Sequence, residues 1–140
     1  MTQILTNEAI HKKSPQEITA LLYEACYTNL EKAIKEIENK QFIEANIYLQ
    51  KASDIIERLG AGINYEAGII ADQLDSLYNY IADKIIEANY SKNIEVIREV
   101  LQVLSEIMTS WNQALRKNTD TQPKVIKRKV SVYDKMSIYE

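Results

Sequence analysis

Three glycines, two prolines, one cysteine and one histidine stand among the 140 residues of this chain. Each scarcity excludes something. An all-β sandwich or barrel needs turn residues about every 8–12 positions, and glycine and proline are too few to supply them. A lone Cys26 excludes an internal disulfide and any zinc site built from several cysteines. A lone His11, ahead of the first long helical pattern, excludes the Glu-x-x-His pair that a ferritin-like site takes from each of two helices. No glycine-rich phosphate loop can be drawn from so few glycines. No apolar run approaches the roughly 20 residues that span a bilayer. Met1-Thr2-Gln3-Ile4-Leu5 lacks the basic start and apolar core of a signal peptide. A net charge of -3, with no basic face in the helical part, argues against nucleic-acid binding. The expectation is a cytoplasmic protein that is not inserted in membrane, holds no metal or cofactor, and is not an enzyme.

What the chain does have is helical periodicity. Residues 1–13 read as an N-terminal arm. Ser14-Pro15-Gln16-Glu17 then carries an N-cap, a proline at the first helical position and the glutamate of a capping box. The first helix is expected to run to about Asn39, with Ile18, Leu21, Leu22, Ala25, Ala33, Ile34 and Ile37 turned inward. Lys40-Gln41 is a short link. The second helix has Ala45, Tyr48, Leu49, Ala52, Ile55, Ile56 and Leu59 on one face. Gly60 and Gly62 are expected to end it with positive φ.

Asn64 is expected to cap the third helix, with Glu66 in its first turn and Ile70, Leu74, Leu77, Tyr78, Ile81, Ile85 and Ala88 inward. Asn89-Tyr90-Ser91 should break it, and Ser91 should cap the fourth. That last helix, Ile94 to Leu115, has two apolar stripes. One is Ile97, Leu101, Leu104, Met108, Trp111 and Leu115. The other is Val96, Val100, Val103, Ile107 and Ala114. Either the helix is central and packed within the domain, or one stripe is covered by an arm, a partner or a second copy.

Short links between long helices force antiparallel neighbours. The expected fold is all-α, an antiparallel up-down-up-down four-helix bundle over 14–117. Residues 118–140 form a flexible tail opened by Asn118-Thr119-Asp120-Thr121-Gln122-Pro123, with docking on the bundle or a neighbour as the alternative.

Several stretches together resemble the FliS family, the flagellar export chaperones that hold flagellin. Ser14-Pro15-Gln16-Glu17-Ile18 with Leu21-Leu22-Tyr23-Glu24 is similar to the family's S-P-x-x-L…M-L-Y-(D/E)-G opening, although Ala25 stands where glycine is common. Ala52 to Leu59 resembles A-x-x-I-I-x-x-L. Leu74 to Ile81 resembles L-x-x-L-Y-x-Y-M, followed by Ala88-Asn89. Trp111-Asn112-Gln113-Ala114 matches W-x-x-A. The resemblance covers about residues 10 to 115.

It implies a chaperone that binds the disordered C-terminal segment of flagellin, prevents its premature polymerisation and delivers it to the flagellar type III export gate. By motif match, the partner-binding candidates are Leu22, Tyr23, Ile55, Ile56, Leu59, Leu74, Leu77, Tyr78, Tyr80 and Ile81. Tyr23, Tyr78 and Tyr80 are the sharper ones, because a tyrosine can seat its ring and keep its hydroxyl on a polar group. Core packing is the competing reading for each. The competing functions are a self-associating helical bundle and a regulatory adaptor that does not bind flagellin. The state could be monomer or homodimer.

Overall fold

The computed structural model describes residues 13–64 and 68–120, with side chains to residue 117. Four helices follow one another: α1 Pro15–Glu38, α2 Phe42–Ala61, α3 Ile69–Ser91 and α4 Ile94–Asp120. Each packs on its two neighbours around a square, α1 on α2, α2 on α3, α3 on α4 and α4 back on α1. This is the expected up-down-up-down bundle. One end holds the start of α1 and α3 and the end of α2 and α4. The other holds the α1–α2 and α3–α4 links. The expected arm lies outside the described residues except for Lys13, and so does the tail beyond Asp120.

The capping box at α1 is complete. Glu17 N donates to Ser14 Oγ at 3.1 Å, and Ser14 N donates to Glu17 Oε1 at 3.1 Å. These bonds, and Lys13 nearby, hold the Glu17 carboxyl below its usual range. At the far end Gln41 N bonds Glu36 O at 2.7 Å and Lys40 N bonds Ile37 O at 2.9 Å. That is the Schellman pattern, with Lys40 at φ 58° where glycine is usual.

Several boundaries differ from expectation. Gly62 caps α2 at φ -88°, so its value there is not positive φ. Asn64 is buried and does not cap α3. The helix starts after Gly68, whose φ of 71° suits a residue without Cβ. Glu66 lies outside the described residues. The third helix does not break at Asn89. It continues to Ser91 because Asn89 Nδ2 donates to Asn46 Oδ1 on α2 at 2.7 Å, tying its last turn down. Ser91 Oγ donates back to Glu87 O, and Asn93 Oδ1 takes over the capping of α4 by accepting from Glu95 N at 3.0 Å. The fourth helix runs to Asp120, into the stretch read as a linker.

The core explains the tightness of the α1–α2 pair. Small residues Cys26 and Ala33 on α1 meet Ala45 and Ala52 on α2, all fully buried. The Cys26 thiol reaches the Ala52 carbonyl at 3.8 Å. Larger side chains, Leu30, Leu49, Leu59, Ile81, Ile85, Ile97 and Leu104, fill the centre. Burial of such a side chain stabilises by about 1.5–3 kcal/mol, which is ample for a single core of this size.

Candidate binding groove

Burial fades along α4. Val96, Ile97, Val100 and Leu104 are buried. Beyond Leu104 no described side chain of the helix is, and Ile107, Met108, Trp111, Ala114 and Leu115 are half-buried. Both expected stripes therefore merge into one face, interior in the first half and partly open in the second. The partner end of α3 fades likewise. Leu74 and Leu77 are half-buried, Ile70 is 45% exposed and Ile69 is 74% exposed.

These two fading stretches face each other. Lys84 on α3 lies 3.6 Å from Glu99 on α4, which fixes the mutual register of the helices. From that pair α3 counts down as α4 counts up, because they are antiparallel. Leu77 then lies level with Glu106 and Ile107, and Ile70 with Ala114. On this register a partly open apolar groove lies between the helices, with Ile70, Leu74 and Leu77 on the α3 side and Val103, Ile107 and Ala114 on the α4 side. Ten residues of α3 separate Ile70 from Tyr80, about 15 Å at helical rise.

Tyr80 closes the lower end. It is 40% exposed, and Lys84 Nζ lies 5.8 Å from its ring centroid. Two carboxylates, Glu87 and Glu99, hold the Lys84 ammonium and raise its pKa. A shallow depression lined by Ile69, Asp72, Gln73, Ser76, Leu77 and Tyr80 extends the groove over the outer face of α3.

At the same end α4 is pinned to α1. Trp111 Nε1 donates to Gln16 O at 2.9 Å, and the Trp111 ring meets Tyr23 edge-on at 5.8 Å between centroids. Tyr23 reaches diagonally across the bundle, its hydroxyl 2.5 Å from that of Tyr78. The α1–α4 seam is thus held by an indole and a buried tyrosine pair. Thr19, one turn from Tyr23, is buried with a hydroxyl that has no hydrogen-bond partner among the described residues.

The candidates chosen by motif are divided by this geometry. Leu22, Tyr23, Ile56, Leu59, Tyr78 and Ile81 are core residues in the free bundle. Leu74, Leu77 and Tyr80 gather at the groove. Ile55 is half-buried on another seam, seven residues on from Tyr48, whose ring faces Lys32 of α1. Sequence reading missed a second exposed apolar region at the opposite end: Phe42, Ile43 and Ile47 on α2, Ile86 and Tyr90 on α3. The i, i+4 spacing of Ile43 with Ile47 and of Ile86 with Tyr90, off the core stripes, was the available signal.

Reactive chemistry is scant. Burial pushes the Cys26 thiol up to about 12, so it is neutral and unreactive. Glu24, Glu57 and Glu99 face solvent. Among the described residues no group of three or more His, Cys, Asp or Glu could hold a metal, and no helix is long and apolar enough to cross a membrane.

The described residues define an all-α four-helix bundle with a partly open apolar groove between α3 and α4. The family model described as "Flagellar protein FliS" matches residues 2–118, and the chain belongs to that family of flagellar chaperones. It is 30% identical over 113 residues to the flagellar secretion chaperone FliS of Salmonella typhimurium, across 79% of this chain and 84% of that protein. It is 26% identical over 108 residues to the chaperone of the same name from Bacillus subtilis, across 77% and 80%. A solved structure described as a flagellar chaperone from bacteria superposes with a TM-score of 0.70 at 21% identity, over 83% of this chain and 94% of that one, and so shares the fold. The family is one of chaperones, not of enzymes.

Proposed function

We propose that this chain is a cytoplasmic export chaperone for flagellin. It binds the disordered C-terminal segment of flagellin, keeps it from polymerising prematurely and delivers it to the flagellar type III export apparatus. Beyond family membership, the observation that carries the reading is the partly open apolar groove between α3 and α4, about 15 Å long from Ile70 to Tyr80. An amphipathic helix lays its apolar anchors into such a groove, and a client that folds on binding offsets its ordering entropy by the length of surface covered. Leu74, Leu77 and Tyr80 make first contact. The interior candidates act behind them, by holding the groove's floor in place.

Calorimetric titration with the C-terminal segment of flagellin from the same source tests this. One-to-one saturation with a negative heat-capacity change supports it. No heat at several temperatures, with the bundle shown to be folded, refutes it. The exposed region of Ile43, Ile47, Ile86 and Tyr90 favours self-association as the second reading, which stability that rises with protein concentration would support.

A further inference from the structure

A second apolar face lies across the bundle from the groove. Ile43 and Ile47 on α2 and Ile86 and Tyr90 on α3 are between 45% and 94% exposed. Leu77 of the groove and Ile86 stand about two and a half helical turns apart, and so on opposite sides of α3. The hydrogen bond from Asn89 to Asn46 sets the register of α2 against α3. Counted from it, with α2 rising as α3 falls, Ile43 stands level with Tyr90, Ile47 with Ile86, Lys51 with Asp83 and Asp54 with Asn79, each within two residues. All eight are exposed. Each level thus sets apolar beside apolar, ammonium beside carboxylate, or carboxylate beside amide. Lys51 Nζ lies 5.6 Å from the Tyr48 ring centroid, and neither Lys51 nor Asp83 has an ion pair among the described residues.

A face whose two halves match level by level fits a second copy of itself. A two-fold axis along the helices lays α2 of one copy antiparallel on α3 of the other and leaves every level unchanged, so each contact is made twice. An axis across the helices would instead lay the apolar end of one copy on the Asp54 and Asp83 end of the other. The polar floor between α2 and α3 is already satisfied and can be covered. Asn46 accepts from Asn89, and Asn89 Oδ1 accepts from Lys92 Nζ at 2.7 Å. The four apolar side chains present roughly 500 Å² at these exposures, more than a lone surface residue explains. With Lys51, Asp54, Asn79 and Asp83 beside them, the face approaches the roughly 800 Å² that each partner gives to a standard interface.

We propose that two copies of this chain pair through their α2–α3 faces about a two-fold axis along the helices, and that the pair leaves both α3–α4 grooves open. Ile43 and Ile47 of one copy meet Tyr90 and Ile86 of the other, and Lys51 meets Asp83. The apolar contacts supply the affinity, and the charges fix which helix lies on which. The pairing stands whether or not the α3–α4 groove is the client site.

Sedimentation equilibrium of the full chain over a concentration series tests the pairing. The wild type should pass from monomer to a species of twice the mass and stop there. Ile47→Glu with Ile86→Glu should raise the dissociation constant by about 100-fold or more. Both side chains are exposed, so the fold should survive, and a thermal melt at low concentration checks that it does. Lys51→Glu and Asp83→Lys should each weaken pairing by about 3- to 10-fold, and the two together should restore it. A wild type that stays monomeric throughout overturns the proposal, and so does a dimer that the isoleucine variant leaves intact. Mass that keeps growing with concentration overturns the closed pair. Reversed charges that do not rescue each other overturn the matching of α2 to α3. Titration with the flagellin segment is a separate reading. Equal affinity per chain in the paired wild type and the monomeric isoleucine variant supports open grooves, and weaker binding by the monomer overturns them. Absence of binding by both refutes the client site alone, since sedimentation decides the pairing.

Discussion

Tyr23 on α1 and Tyr78 on α3 share a buried hydrogen bond of 2.5 Å between their hydroxyls, across the diagonal of the bundle. Their rings lie 6.4 Å apart, and Trp111 stacks edge-on against the same Tyr23. Three helices thus meet at one node, just behind the groove. Tyr23→Phe should lower stability by about 1–2 kcal/mol, because it removes one hydroxyl of a buried pair. Tyr23→Phe with Tyr78→Phe should cost less than the sum of the singles, and urea melts of the four proteins measure that coupling. Tyr78→Ala should cost about 3–5 kcal/mol through the cavity it leaves.

Tyr80, two residues on from Tyr78, should behave in the opposite way. Its ring is 40% exposed. Tyr80→Ala should change stability by about 1 kcal/mol or less, yet weaken the flagellin segment roughly tenfold. Parallel melts and titrations check this. Strong destabilisation without loss of affinity would move Tyr80 out of the binding surface.

Thr19 buries a hydroxyl with no partner among the described residues. Thr19→Val replaces it with a methyl group of similar shape and should raise stability by about 1 kcal/mol. A lowered melting temperature would mean that the hydroxyl has a partner after all.

Burial makes Cys26 a reporter of opening. Its thiol is raised to about 12 in the folded chain, so it contributes stability below the ordinary thiol value near 9 and loses it as pH rises from there toward 12. At pH 8 alkylation by iodoacetamide should proceed only through unfolding, and its rate should follow stability across the variants above. Rapid labelling of the folded protein would refute this.

The capping box has the contrary pH dependence. Glu17 is lowered below its usual value of 4.5, so its contribution is present above that value and is lost as pH falls through the lowered one. Amide exchange in the first turn of α1 should accelerate on acidification before the bundle unfolds. Ser14→Ala should cost about 1 kcal/mol at neutral pH, and it should abolish that acid step.

The capped start of α1 was legible because Ser14 and Glu17 act within one turn, where sequence spacing is spatial spacing. The same holds for the core stripe of α2, whose Ala45, Leu49, Ala52, Ile56 and Leu59 are all buried as read. The start of α3 was not legible. Asn64 is a good cap in isolation, but here it is buried and the helix begins beyond Gly68. Nor was the persistence of α3 to Ser91, since Asn89 is held by Asn46, 43 residues away.

By itself the sequence determined four amphipathic helices, their antiparallel order and, through ordered motifs, the family. Those rest on local periodicity and on links too short to allow other connections. Only the tertiary structure decided depth. Leu77 and Tyr78 are consecutive, and both belong to the motif, yet one lines the groove and the other is hydrogen-bonded to Tyr23 in the core. Periodicity assigns a residue to a face of its helix. How much of that face is covered depends on what packs against it, and along α3 and α4 burial falls off toward the ends that hold Ile70 and Ala114.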